Sequence, residues 1–262
     1  MTAPRLIIVP DPVEMGRLAA DLLTETIARH PAAAIALPTG NTPLPLFAEI
    51  VARVERGTLD LSRAHVFCLD EYIGVAPDDP ISLTGWLRRE LLDRAGVPLA
   101  RIHALPSLAD DLNRACQEYE ADLARLGGLE IAILGIGGNG HVAYNEPGTP
   151  ADSRTREVAL TPASVAGAAA YFPGRQVPTR ALTVGIGTLL EARRLLLIAT
   201  GEAKADILRH ALVEPMSANV PASWLRLAGD RLTVIADEAA ASACRELPWE
   251  AVPSESRLSA SG

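Results

Sequence analysis

Ile131-Ala132-Ile133-Leu134-Gly135-Ile136-Gly137-Gly138-Asn139-Gly140-His141-Val142-Ala143-Tyr144-Asn145-Glu146-Pro147 is the stretch that decides the fold. Its opening apolar run reads as a strand buried in a parallel sheet. The run empties into a glycine-rich turn, where missing side chains let backbone and ligand approach closely. His141 follows at once, the one side chain whose ordinary pKa lies near neutrality. Glu146 stands five residues on, a candidate to orient or tune it. That combination suggests proton transfer on a small bound molecule.

The segment also matches Gly135-x-Gly137-x-x-Gly140, the pattern that opens dinucleotide-binding folds. The pattern requires a helix that starts at the glycines. Here Asn145-Glu146-Pro147-Gly148-Thr149-Pro150 interrupts the chain, and prolines so close together read as loop. Nucleotide binding by this segment is set aside on that ground.

Outward from this strand, strand-like and helix-like segments alternate along the chain. Residues 6–9, 34–37, 65–69, 101–105, 130–134, 195–199 and 232–236 read as strands. Residues 13–29, 43–56, 82–94, 110–126 and 202–212 read as helices. Residues 144–178, rich in Pro, Gly, Thr and Ala, read as a long loop or lid with one helix at most. Such alternation predicts an α/β fold: a doubly wound, mostly parallel sheet with helices on both faces, Rossmann-like in plan. No linker or repeat divides the chain, so residues 1–250 are expected to form one domain and 251–262 a flexible tail.

The chain has 262 residues, of which 48% are hydrophobic, enough for a substantial core. No run reaches the ~18–20 apolar residues of a membrane span, and Met1-Thr2-Ala3-Pro4-Arg5 lacks a signal-peptide plan. Cys68, Cys116 and Cys244 are odd in number and widely spaced, which argues against a disulfide framework or a zinc cluster. A cytoplasmic location is expected. The net charge of −8 argues against nucleic acid as a partner, because phosphate backbones demand a basic face. An anionic small molecule stays compatible if a few cations and backbone amides are locally placed. Of the 24 basic residues only Lys204 is lysine, so it is a candidate for a task arginine cannot do.

In an open α/β sheet, ligands bind outside the carboxyl ends of the strands. Four strand ends carry suitable residues. Leu37-Pro38-Thr39-Gly40-Asn41-Thr42-Pro43 offers threonine hydroxyls, a helix cap at Thr42 and free N–H groups at a helix start, an anion site. An ordinary well-capped turn would read the same way. Asp70 closes its strand and is a candidate general base, or a helix cap; Glu71 is left unassigned. His141 gathers Asn139 and Glu146. Lys204 opens the helix after Thr200-Gly201, within reach of the first turn.

The run from Leu37 to Pro43, Leu69-Asp70-Glu71-Tyr72-Ile73-Gly74, the run from Gly135 to Pro147, Ser153-Arg154-Thr155-Arg156, the run from Val177 to Thr188, Lys204 and Val220-Pro221-Ala222-Ser223-Trp224-Leu225 occur in one order. In that order they resemble glucosamine-6-phosphate deaminase, over nearly the whole chain. The neighbouring 6-phosphogluconolactonase family shares the glycine-histidine turn without the Asn-Glu-Pro that follows here. The resemblance implies conversion of glucosamine 6-phosphate to fructose 6-phosphate and ammonia, with no metal and no organic cofactor. It assigns ring opening to His141 and proton transfer between C2 and C1 to Asp70. Glu146 would hold His141, with Asn139 beside it. Thr39, Gly40, Asn41, Thr42 and Lys204 would bind the 6-phosphate of a small phosphorylated amino sugar. The family includes monomers and hexamers, so a homo-oligomer is compatible with it.

Three departures stand out. Asn139 is neutral where some members carry aspartate. Ala170 replaces a phosphate-binding arginine, whose charged hydrogen bond is worth roughly 1.5–3 kcal/mol; Arg175 is the nearest substitute. At the allosteric site of some members Arg156 matches, but Val158 and Ala159 replace polar residues, so activation by an N-acetylated sugar phosphate is not expected. Two other readings stay open: a phosphosugar lactonase in which His141 activates water, and a non-catalytic phosphosugar sensor.

Overall fold

The computed structural model describes residues 3–244 and 251–253. In chain order the elements are β1 (Arg5–Val9), α1 (Pro12–Arg29), β2 (Ala34–Leu37), α2 (Leu44–Glu55), β3 (His65–Cys68), β4 (Asp70–Tyr72) and α3 (Leu83–Leu87). Then come β5 (Ile102–His103), α4 (Leu112–Arg125), β6 (Leu129–Gly135), β7 (Arg156–Ala159), α5 (Pro162–Ala168) and β8 (Arg180–Thr183). The series ends with α6 (Ile186–Leu190), β9 (Arg194–Ala199), α7 (Ala205–Leu212), β10 (Leu232–Asp237) and β11 (Ala251–Pro253). Local chemistry fixes several boundaries. Asp11 accepts the Glu14 N–H at the start of α1, with Pro12 in the first turn, and Ser82 accepts the Gly85 N–H at the start of α3.

Eight strands form one sheet in the order β11-β1-β10-β9-β6-β2-β3-β5, and its described pairings are all parallel. Alternation along each strand divides its side chains between two cores. Ile35 and Leu37 of β2, with Ile131 and Ile133 of β6, pack beneath α1, α2 and α3. Ala34, Ala36, Ala132 and Leu134 face the other way, toward α4, α6 and α7. Such strands are apolar throughout because both faces are covered, which is why the 131–134 run carried no alternation to read.

From β2 the chain moves outward to β3 and β5, returns to β6 beside β2, then proceeds the other way to β9 and β10. The direction of winding reverses between β2 and β6, and the crevice beyond their carboxyl ends is the natural ligand position. The turns after these two strands are the Thr39-Gly40 loop and the glycine-histidine turn.

Several expectations are corrected. Asp70 does not simply end β3. Residues 70–72 form β4, which pairs antiparallel with β8, and β8 pairs with β7 in a separate three-stranded sheet. Residues 144–178 therefore contain a strand, β7, as well as α5. Thr42 does not cap α2: Pro43 holds the cap position and no side chain bonds there. Lys204 ends a short 3-10 turn ahead of α7. The tail expected from residue 251 is paired at its start, since β11 lies parallel to β1; residues 254–262 lie outside the described residues. No helix among the described residues is long and apolar enough to cross a membrane.

Candidate active site

The turn after β6 closes on itself: the Gly137 N–H donates to the His141 carbonyl (2.8 Å) and the Gly140 N–H to the Gly137 carbonyl (3.0 Å). The imidazole of His141 folds back over Gly137. A Cβ at position 137 would lie 2.2 Å from His141 Nε2, so only glycine leaves the ring this place.

Glu146 is buried behind that ring. Asn139 bridges the two, accepting the His141 N–H at 3.2 Å and donating its amide to Glu146 Oε2 at 2.7 Å. The other carboxylate oxygen accepts the Thr161 N–H at 3.2 Å. His141 Nδ1 stands 3.6 Å from Glu146 Oε2 and 3.4 Å from Ser164 Oγ. Burial pulls the Glu146 pKa up, but hydrogen bonds from His141, Ser164, Asn139 and Thr161 outweigh it and hold the carboxyl at about 2. Glu146 is therefore a fixed anion, suited to orienting a histidine and unsuited to trading protons near pH 7.

Asp70 and Glu71 are neighbours with opposite surroundings. In a strand, successive side chains point to opposite faces, so Asp70 shares a face with Tyr72 and Glu71 takes the other. Glu71 is fully buried and accepts four hydrogen bonds, from Ser82 Oγ and from the N–H groups of Tyr72, Leu83 and Thr84. It caps α3 and is consumed by that task. Asp70, 8% exposed, has no hydrogen-bond partner among the described residues. Burial, with the charge of Glu71 adding to it, pushes its pKa up to about 7. A carboxyl poised there can take and return a proton at neutral pH.

These elements surround a cavity of about 590 Å³. Thr39 and Gly40 line it from the β2 turn, Tyr72 from β4, and Gly138, Asn139, His141 and Tyr144 from the β6 turn. Pro80, Ile81, Leu83 and Trp86 form one wall; Ala163, Ser164, Gly167, Ala168, Tyr171 and Phe172 cover it. Glu146 is bonded to the lining residue Asn139, and Asp70 lies two residues before the lining residue Tyr72 on one strand face. The N–H groups of Gly40, Asn41 and Thr42 donate to no protein acceptor among the described residues, which leaves them available to an anion. Asn41 is joined to the cover instead, accepting from the Tyr171 hydroxyl at 3.2 Å.

Neither lysine nor arginine lines the cavity. Lys204 donates to the Ile136 carbonyl (2.7 Å), at the end of β6, and burial lowers its pKa. Arg175 is not the substitute for the missing arginine in this conformation: it grips Asp79 through both guanidinium nitrogens, at 2.8 and 3.0 Å. Arg156 serves the fold, donating to Asn145 Oδ1 and Thr149 Oγ1. Among the described residues no three His, Cys, Asp or Glu side chains gather as a metal site.

Sequence reasoning missed Tyr72, Tyr144, Thr161 and Ser164. The first two were within its reach, since Tyr72 lies two residues from Asp70 on one strand face and Tyr144 lies three from His141. Thr161 and Ser164 carry no signal beyond a helix start, and only the packing of α5 onto the turn brings them in.

Residues 13–234 match the family model described as glucosamine-6-phosphate isomerases/6-phosphogluconolactonase. Among curated relatives, a glucosamine-6-phosphate deaminase of Rhodopirellula baltica is 42% identical over 236 residues, 90% of this chain and 94% of that protein. One from Streptomyces avermitilis is 41% identical over 239 residues, covering 90% and 91%. Among solved structures, a monomeric glucosamine-6-phosphate deaminase superposes with a TM-score of 0.87 at 35% identity, covering 91% of this chain and 99% of that one. A 6-phosphogluconolactonase from Trypanosoma cruzi superposes at 0.74 with 21% identity, covering 94% and 99%, a likeness of fold alone. By this match over most of its length, the chain belongs to the glucosamine-6-phosphate isomerase/6-phosphogluconolactonase family.

Proposed function

We propose that this chain is an amino-sugar-phosphate deaminase that isomerises as it deaminates, turning glucosamine 6-phosphate and water into fructose 6-phosphate and ammonia. The observation that carries this reading is Asp70: a buried carboxyl without hydrogen-bond partners, near neutrality, on the strand face whose next residue lines the cavity of His141. Relatives 41–42% identical to the chain are glucosamine-6-phosphate deaminases, whereas the lactonase superposed above is 21% identical and shares the fold alone.

In this reading His141 moves a proton between the ring oxygen and the C1 hydroxyl, opening the sugar. Asn139 and Glu146 hold its ring. Asp70 then takes the C2 proton and delivers it to C1, and hydrolysis at C2 releases ammonia. Thr39, Gly40, Asn41 and Thr42 receive the phosphate with N–H groups and hydroxyls. Lys204 adds its charge from beside the end of β6, where one N–H donates to the Ile136 carbonyl and the other two have no partner among the described residues. The cover from Thr161 to Phe172 acts as the lid that excludes water during proton transfer.

The test is a panel assay for ammonia and ketose phosphate from glucosamine 6-phosphate and galactosamine 6-phosphate, with 6-phosphogluconolactone as control. Ammonia from an amino sugar phosphate is the expected result. Lactone hydrolysis without ammonia release would overturn the reading.

A further inference from the structure

Tyr72 and Tyr144 face each other across the cavity wall, their hydroxyls 2.7 Å apart and their ring centroids 5.7 Å apart. Neither hydroxyl has another partner among the described residues. Two phenols carry two protons, and only one can lie between the two oxygens. The second O–H has no protein acceptor among the described residues, and both tyrosines line the cavity, where a ligand can take it.

Their supports tie the pair to the reacting groups. Tyr72 shares a strand face with Asp70, one pleat repeat or about 7 Å along the chain. Tyr144 has its backbone N–H on Thr183 Oγ1 (3.0 Å), and Thr183 is the residue of β8 paired with Asp70. The Tyr144 ring also meets His141 edge-on, with centroids 6.1 Å apart, and Phe172 of the cover packs edge-on against Tyr72 at 5.2 Å. Burial raises both phenols, Tyr72 to about 12 and Tyr144 further, so both are neutral donors at pH 7.

We propose that the Tyr72–Tyr144 pair is a catalytic hydrogen-bond donor to the sugar's C1 oxygen, stabilising the negative charge that develops there when Asp70 removes the C2 proton. The inference rests on the deaminase reading and adds to it the group that stabilises the intermediate. In that step the proton of the broken C2–H bond passes to the Asp70 carboxylate. Its electron pair becomes the C1–C2 double bond, and the carbonyl π pair moves onto O1. Nothing is oxidised or reduced overall. The shared proton lets one phenol polarise the other, so the free O–H is a stronger donor than an isolated tyrosine. Asp70 and Tyr72 leave the strand on one face, so base and donor approach the sugar from the same side.

The experiment uses the full chain and two conservative variants, Tyr144→Phe and Tyr72→Phe, each with its Tm recorded. Loss of one such donor lowers kcat about 10²-fold with KM nearly unchanged. Two inhibitors separate stabilisation of charge from simple binding. A five-carbon sugar-phosphate hydroxamate mimics the planar anionic intermediate, whereas the saturated 2-amino alditol 6-phosphate has no charge on O1. The variants are expected to lose at least tenfold in affinity for the hydroxamate and less than twofold for the alditol. Equal losses for both inhibitors, or an unchanged kcat in both variants, would overturn the proposal. Wild-type chain that makes no ammonia sinks the deaminase reading and the proposal with it. Wild-type activity that survives in both variants sinks the proposal alone.

Discussion

Asp70 at the start of β4 and Glu146 beyond β6 are both buried carboxyls, yet their surroundings drive them apart. The Asp70 carboxyl accepts no hydrogen bond among the described residues and rises to about 7; Glu146 accepts several and falls to about 2. Burial raises both, with the Glu71 charge adding to it at Asp70; only at Glu146 does the fold supply N–H and O–H groups to the anion. A carboxyl deprived of donors becomes a proton carrier, and one saturated with them becomes a fixed charge. Glu71, beside Asp70, is supplied with four donors, from Ser82 Oγ and the N–H groups of Tyr72, Leu83 and Thr84.

The largest effect expected from breaking this contrast is that of Asp70→Asn. Ammonia release should fall about 10²–10⁴-fold while substrate binding, measured calorimetrically, stays close to wild type. Wild-type turnover in the variant would remove Asp70 from the base's role. In the parent, kcat/KM should rise with pH through about 7 as the carboxyl ionises.

Stability should show the same contrast with opposite slopes. The folded pKa of Asp70 lies above its ordinary 3.8, so folding is penalised progressively as pH rises from about 4 to 7. Asp70→Asn should therefore stabilise the chain at pH 8, by up to about 4 kcal/mol, and leave it unchanged below pH 4. Glu146, held low, contributes stability present above its ordinary 4.5 and lost as pH falls toward 2. Denaturant titrations of Asp70→Asn and Glu146→Gln across this range should diverge in sign; parallel curves would contradict the comparison.

A smaller effect comes from Gly137→Ala. The added methyl collides with an imidazole rather than with backbone, so the ring must swing away while the fold yields little. Activity should drop about 10²-fold from misplacement alone, with Tm within a few degrees of wild type. Glu71→Gln should do the reverse: about 2–3 kcal/mol of stability lost with the α3 cap, turnover largely kept, and the acid limb of kcat/KM moved to lower pH as a neighbouring charge disappears. Lys204→Ala should be mildest, raising KM about tenfold at constant kcat; an unchanged KM would detach the lysine from the phosphate.

The parallel sheet was legible because its strands are unbroken apolar runs between helices with evident caps. The small sheet was not. β4, β7 and β8 are three or four residues long, and β4 consists of Asp70-Glu71-Tyr72, which no apolar pattern marks. β4 finds its partner about 110 residues away, Asp70 opposite Thr183, and β7 pairs with β8 across an intervening helix. The same distance explains Arg175, whose proximity to Ala170 in sequence suggested a phosphate role while Asp79, 96 residues earlier, holds it. His141 and Asp70 stood out because their chemistry is local to strand ends. Tyr144 did not, since an aromatic between Ala143 and Asn145 reads as packing until the Tyr72 hydroxyl appears opposite.

The order of strands also bears on how the polypeptide reaches this shape. β1 is made first, but its neighbour β10 is not synthesised until about two hundred residues later. At ribosomal speeds of about 5–20 residues per second, that apolar strand waits roughly 10–45 s for its mate. During that interval α1 and α2 can cover only one of its sides, and the nascent chain presents a bare sheet edge to every other molecule in the cell. Assembly is therefore slow by design of its topology, and chaperone demand should track β1 rather than the reaction centre.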